Sequence, residues 1–84
     1  KDIRPAAPVH LLIIPRQHIT GLGDVTAEHE ALLGRMMTLA PRLAVEQGAT
    51  NGFRTVINTG PDGGQEVYHL HLHVMGGPRP WKHG

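Results

Sequence analysis

The sequence predicts an α+β domain, an antiparallel sheet with one main helix packed on it, and three features carry that prediction. Two short runs rich in branched apolar residues and a third of strict alternation read as strands. One long stretch between the first and second runs places apolar residues at helical spacing. The chain has 84 residues, enough for a single domain over 1–84 with one modest core.

The elements follow in order. Val9-His10-Leu11-Leu12-Ile13-Ile14 is stopped by Pro15 and reads as a buried strand, with Pro5 and Pro8 giving it an extended entry. After a loop over residues 21–24, Thr26 is the expected N-cap of a helix with Glu28 and Glu30 in its first turn, where carboxylates meet the positive end of the helix dipole. Leu32, Leu33, Met36, Met37, Ala40, Leu43 and Ala44 form its apolar stripe, and Gly48 ends it. Pro41 predicts a kink or two shorter helices, because it removes the bond to the Met37 carbonyl at a cost of about 3 kcal/mol. Phe53-Arg54-Thr55-Val56-Ile57-Asn58 is the second strand, Thr59-Gly60-Pro61-Asp62-Gly63-Gly64 is turn chemistry, and residues 67–75 are the third strand.

Composition excludes several classes of function. The net charge is +1 with lysines and arginines scattered singly, so nucleic acid is not an expected partner. Without cysteine there is neither a disulfide framework nor a thiolate metal site. The longest apolar run, Leu11-Leu12-Ile13-Ile14, is far too short to cross a bilayer, and no signal peptide is expected. A cytoplasmic location without membrane contact is the expectation. Because Lys1-Asp2-Ile3 begins abruptly without Met, a truncated or processed chain is also expected.

Seven histidines stand out, three of them within Tyr68-His69-Leu70-His71-Leu72-His73. Alternate side chains of a strand share a face, so His69, His71 and His73 are expected in a row at ~6.6 Å intervals with Leu70, Leu72 and Val74 in the core. Three readings compete. The row is a solvated face; or it is a metal site completed by His10 or a carboxylate; or it is catalytic. Catalysis fits imidazole, whose ordinary pKa of about 6.5 leaves a neutral nucleophile near neutral pH. One ring would attack phosphorus while its neighbours donate hydrogen bonds to the non-bridging oxygens. The glycine-rich turn before the strand would bring backbone N–H groups to the same phosphate.

The stretch Gly63-Gly64-Gln65-Glu66-Val67-Tyr68-His69-Leu70-His71-Leu72-His73-Val74-Met75-Gly76-Gly77 resembles the signature of the histidine-triad superfamily, and within it the branch of nucleotide-binding proteins. Asp2-Ile3-Arg4-Pro5-Ala6-Ala7-Pro8-Val9-His10, Ile14-Pro15-Arg16-Gln17-His18-Ile19 and Val56-Ile57-Asn58 resemble that branch as well. The resemblance implies a homodimer that cleaves purine nucleoside 5′-phosphoramidates, including lysyl adenylates, without metal or cofactor. His71 would be the nucleophile forming a nucleotidyl-histidine intermediate, and His73 would contact the phosphate. His69 would sit behind the nucleophile and fix its tautomer, with His10 in the same network. Asp2 would hold the ribose hydroxyls, Ile3 would pack on the base, and Asn58 with Gly64, Gln65, Glu66 and Val67 would bind the phosphate and leaving-group region. Trp81 resembles a C-terminal tryptophan that reaches the partner's site. The family's further N-terminal helix and hairpin are not among these residues, and Glu66 stands where some members carry serine.

Some of these residues have plain structural alternatives. His10 would serve as a hydrogen-bonded core histidine, Asn58 as a turn residue, and Asp2 as a solvated charge. Trp81 would be a packing anchor, Met36 and Met37 core or interface filler, and His18, His29 and His83 surface residues. The alternative functions are a nucleotide-binding dimeric module with little turnover, or a histidine-ligated metal protein.

Overall fold

The computed structural model describes residues 7–80. Asp2, Ile3, Trp81 and His83 lie outside the described residues.

Strands β1 (Val9–Ile13) and β2 (Phe53–Val56) flank β3 (Leu72–Gly76), and both pair with it antiparallel. The sheet order β1-β3-β2 puts the last strand at the centre. Directly paired residues point to the same face. His10 opposite Met75 and Leu12 opposite His73 therefore share one face with Arg54 and Val56. Leu72 and Val74 share the other with Leu11, Ile13 and Thr55.

Helix α1 (Glu30–Glu46) covers that second face. Met36, Ala40 and Ala44 recur at i, i+4, i+8 and meet Leu70, Leu72 and Val74, which are 1%, 1% and 0% exposed. The expected stripe therefore holds along its centre, with Leu32, Leu33, Leu39 and Leu43 half-buried at its flanks. Met37 and Val45 fall outside the stripe and stay exposed.

Both helix ends are explained by local chemistry. Thr26 caps a 3-10 turn, Ala27–His29, that runs into α1; its Oγ1 accepts from the Glu28 N–H at 3.2 Å. The His29 Nδ1 accepts from the Thr26 N–H at 3.0 Å, filling the place that Glu or Gln takes in a usual capping box. At the far end Gly48 adopts φ 103°, and the Ala49 N–H donates back to the Ala44 carbonyl at 2.9 Å. That is a Schellman closure, and it needs a residue free to take positive φ. Pro41 lies inside one continuous helix, which corrects the alternative of two shorter ones. It sits on the exposed side, where the ring takes no space from the core.

Two strand boundaries differ from expectation by two residues or more. The third strand starts at Leu72 rather than at residue 67, and β2 ends at Val56 rather than at Asn58. The reason is the length of the neighbours. Ile13 pairs with Leu72 and Pro15 follows two residues later, so β1 has no backbone left to offer residues 67–71. The Leu70 N–H goes instead to the Ile19 carbonyl at 2.7 Å. Nor is β1 buried on both faces: Leu12, and Ile14 just beyond the strand, are each 52% exposed on the histidine side.

The core assignment predicts that Leu72→Ala lowers unfolding free energy by about 2–5 kcal/mol, the usual cost of truncating a buried leucine. Met37→Ala, on the exposed side of α1, should stay within about 0.5 kcal/mol of the parent in the same denaturant titration. Equal losses from the two substitutions would place the core elsewhere.

Candidate active site

The site begins with an alternation that outlasts its strand. Leu70, Leu72 and Val74 are buried while His69, His71 and His73 are half-buried, although only His73 belongs to β3. The leucines anchor the odd-numbered side chains to the outer side of the sheet even where the ladder has stopped. The evenly spaced row of imidazoles that an ideal strand would give is nevertheless altered. His71 and His73 meet with ring centroids 5.0 Å apart at 67°, and His10 and His73 with centroids 5.2 Å apart at 37°. The His69 ring instead takes His18 edge-on at 4.8 Å and 85°. Residues 67–69 form a bend rather than extended strand, which is why the spacing of an ideal strand does not hold there.

The hydrogen bonds assign protons to the rings. His71 Nδ1–H donates to the backbone carbonyl of His69 at 2.7 Å. A carbonyl only accepts, so in the neutral ring the lone pair lies on Nε2. The contact from His69 to His71 thus runs through its main chain; its ring instead donates Nε2–H to the Pro15 carbonyl at 2.9 Å. His10 joins His73, not His69: His10 Nε2 and His73 Nδ1 are 2.9 Å apart and share one proton. When His10 donates, His73 keeps its own proton on Nε2, free for an anionic oxygen. Burial first, then the neighbouring His10 and His71 rings, hold His73 below the ordinary histidine value of 6.5.

Beside the histidines lies the glycine turn. Gly60 (φ 70°) and Gly64 (φ 77°) bracket a 3-10 turn, Pro61–Gly63, and both take backbone angles that L side chains rarely adopt. The Asn58 Nδ2–H donates to the Gly63 carbonyl at 2.9 Å, so the expected ligand also holds the turn in shape. Gln65 departs further from expectation. It is 7% exposed, the one buried polar residue among those described, and its side chain is directed inwards. Its Oε1 accepts from the Gly60 N–H at 2.9 Å, and its Nε2–H groups donate to the Thr20 and Val67 carbonyls at 2.8 and 3.1 Å. Its amide is therefore not placed to bind a ligand directly. Gly64, Glu66 and Val67 lie at the surface.

An apolar depression of about 240 Å³ adjoins the rings, lined by Leu12, Ile14, Val67, His69 and His71. A larger cavity of about 660 Å³ lies at the opposite end of β3, between residues 48–54 and 77–79, away from the imidazoles. Among the described residues no three His, Asp or Glu side chains converge to hold a metal ion. No described helix is long and apolar enough to cross a membrane. Two participants escaped the sequence reading. His18 is exposed as expected yet packs its ring on His69, and His29 closes the capping box of the turn that leads into α1; a single histidine in a loop carries no pattern that announces either contact.

The model of the HIT domain matches residues 1–79. The chain belongs to the HIT family. It is 56% identical over 77 residues to an uncharacterised HIT-like protein of Synechococcus elongatus, covering 92% of this chain and 68% of the relative. It is 53% identical over 78 residues to the purine nucleoside phosphoramidase of Escherichia coli K12, covering 92% of this chain and 66% of that one. The fold superposes on the crystal structure of a HIT family hydrolase from Legionella pneumophila with a TM-score of 0.88 at 46% identity, over 100% of this chain and 77% of the other. The chain thus spans about two thirds to three quarters of the length of these HIT proteins.

The state of His73 predicts a pH signature. Its folded value lies below the ordinary 6.5, so the unfolded chain takes up that proton first as pH falls. Stability should decline below about pH 6.5, with the decline ending once pH reaches the folded value. His73→Gln removes this contribution, so its melting temperature should fall less than that of the parent between about pH 7.5 and about pH 5.5. Identical slopes would mean that His73 titrates as it does in an unfolded chain.

Proposed function

We propose that this HIT domain is a purine nucleotide-binding hydrolase that cleaves nucleoside 5′-phosphoramidates through a nucleotidyl intermediate on His71. The observation that carries the reading is the 2.7 Å bond from His71 Nδ1–H to the His69 carbonyl. It leaves an unshared pair on Nε2, the form in which imidazole attacks an electrophile. Identity of 53% to a purine nucleoside phosphoramidase supports the substrate class.

In the first step the Nε2 pair forms a bond to the α-phosphorus and the P–N bond to the amine breaks. The amine leaves once protonated. In the second step water attacks the same phosphorus, the bond to imidazole breaks, and a nucleoside monophosphate departs from regenerated neutral His71. His73, with Nδ1 facing His10 Nε2 at 2.9 Å, is suited to donate Nε2–H to a non-bridging oxygen as charge builds there. The turn between Gly60 and Gly64, with Asn58 at its base, is suited to the phosphate. The apolar depression at Leu12, Ile14 and Val67 offers a surface to a flat or aliphatic group.

Further parts of the reading rest on family resemblance. Asp2 and Ile3 would hold ribose and base, Glu66 the leaving-group region, and Trp81 a partner's site. The homodimer has support from β2, which is an edge strand and so a template for pairing with a second copy.

Mixing the protein with adenosine 5′-phosphoramidate and quenching within one turnover should yield an adenylyl adduct, mapped by peptide mass spectrometry to His71. In His71→Ala the adduct should vanish and turnover should drop by roughly 10³-fold or more, with the fold retained by circular dichroism. An adduct on His73, or nucleotide binding with no cleavage, would overturn the assignment.

A further inference from the structure

We propose that Gln65 is a positioning residue that locks the phosphate turn to the bend delivering His71; the inference rests on the nucleotidyl-transfer reading above. Three backbone groups meet at this one amide. Its Oε1 takes the Gly60 N–H at 2.9 Å, while the Gln65 backbone N–H donates to the Gly60 carbonyl at 3.0 Å, so residues 60 and 65 are joined twice. Its Nε2 donates at 2.8 Å to the Thr20 carbonyl and at 3.1 Å to the Val67 carbonyl. Ile19, next to Thr20, accepts the Leu70 N–H at 2.7 Å. The loop at 19–20 therefore holds both the amide and the residue before His71.

This bracing falls where regular structure is absent. The ladder of β3 begins only at Leu72, so neither neighbouring strand fixes residues 67–71. The orientation of His71 depends on the His69 carbonyl, which lies in the bend that starts at Val67. Movement of that bend relative to Gly60 would change the distance between the attacking nitrogen and a phosphate seated on the turn. Attack on phosphorus tolerates little such error.

Gly21 supplies an independent sign that the amide is held tightly. Its φ of −175° is extended backbone open to any residue, so its conformation does not call for glycine. A methyl group there would sit 2.8 Å from the Gln65 Oε1 and 3.1 Å from its Nε2. The absence of a side chain at position 21 leaves the amide its place.

Two variants test the inference. Gln65→Met keeps the volume and removes all three side-chain hydrogen bonds, whereas Gly21→Ala keeps Gln65 and pushes its amide aside. With adenosine 5′-phosphoramidate, Gln65→Met should lower kcat by roughly 10- to 100-fold, the scale of a misplaced reacting atom. KM should change by less than about threefold, because no contact with substrate is removed. Gly21→Ala should lower kcat in the same sense by a smaller factor. An active parent with Gln65→Met folded and undiminished in kcat overturns this inference alone, as does a loss confined to KM. Unfolding of both variants overturns it too, by making Gln65 a folding residue. An inert parent that forms no adduct on His71 defeats the underlying reading and this one with it.

Discussion

A carbonyl oxygen can accept a hydrogen bond but never donate one, and the chemistry of this site depends on that asymmetry. At 2.7 Å from the His69 carbonyl, His71 Nδ1 must carry the proton. Nε2 is then the nitrogen with an unshared pair. His10 and His73 obey a looser rule, since either ring can donate across their 2.9 Å contact. Their arrangement becomes definite only when something on the far side of His73 needs a donor. One ring thus has its proton placed by the backbone, whereas the other pair can adapt to what binds.

The fold reaches this geometry by stopping its sheet early. β1 ends at Ile13, two residues before Pro15, and the residues that would have continued the central strand turn into a bend. Full strand pairing would have engaged the main chain of residue 69 in the ladder, whereas the bend leaves its carbonyl for an imidazole two residues on. Burial of Leu70 and Leu72 keeps the alternation of faces through this irregular stretch, so the histidines stay on one side without strand pairing. Packing supplies what the ladder omits.

How much could be read from the chain follows from which forces are periodic. The leucine and histidine alternation, the helical stripe around Met36, Ala40 and Ala44, and the turn signals at Gly60 and Gly64 are repeats or dihedral demands written in residue type, and they located the sheet, the helix and the turn. The start of β3 was not legible, because strand length is decided by the partner and the limit lies at Pro15, over fifty residues upstream. The inward direction of Gln65 was hidden for a related reason: a glutamine between a glycine and a glutamate reads as surface or ligand until three backbone partners from two loops converge on it. Nothing in the pattern paired His10 with His73 rather than His69, since that choice depends on a diagonal across two strands.

The contact between helix end and sheet has a consequence for how this sequence can drift. A Cβ at Gly76 would lie 2.5 Å from the Cβ of Ala49 and 3.3 Å from the Gly52 carbonyl. Residues 49 and 76 occupy one volume between them, so neither is an independent variable. A bulkier residue at either site can be accepted only alongside a change in the closure that follows Gly48, and mutational paths through this corner must move in pairs.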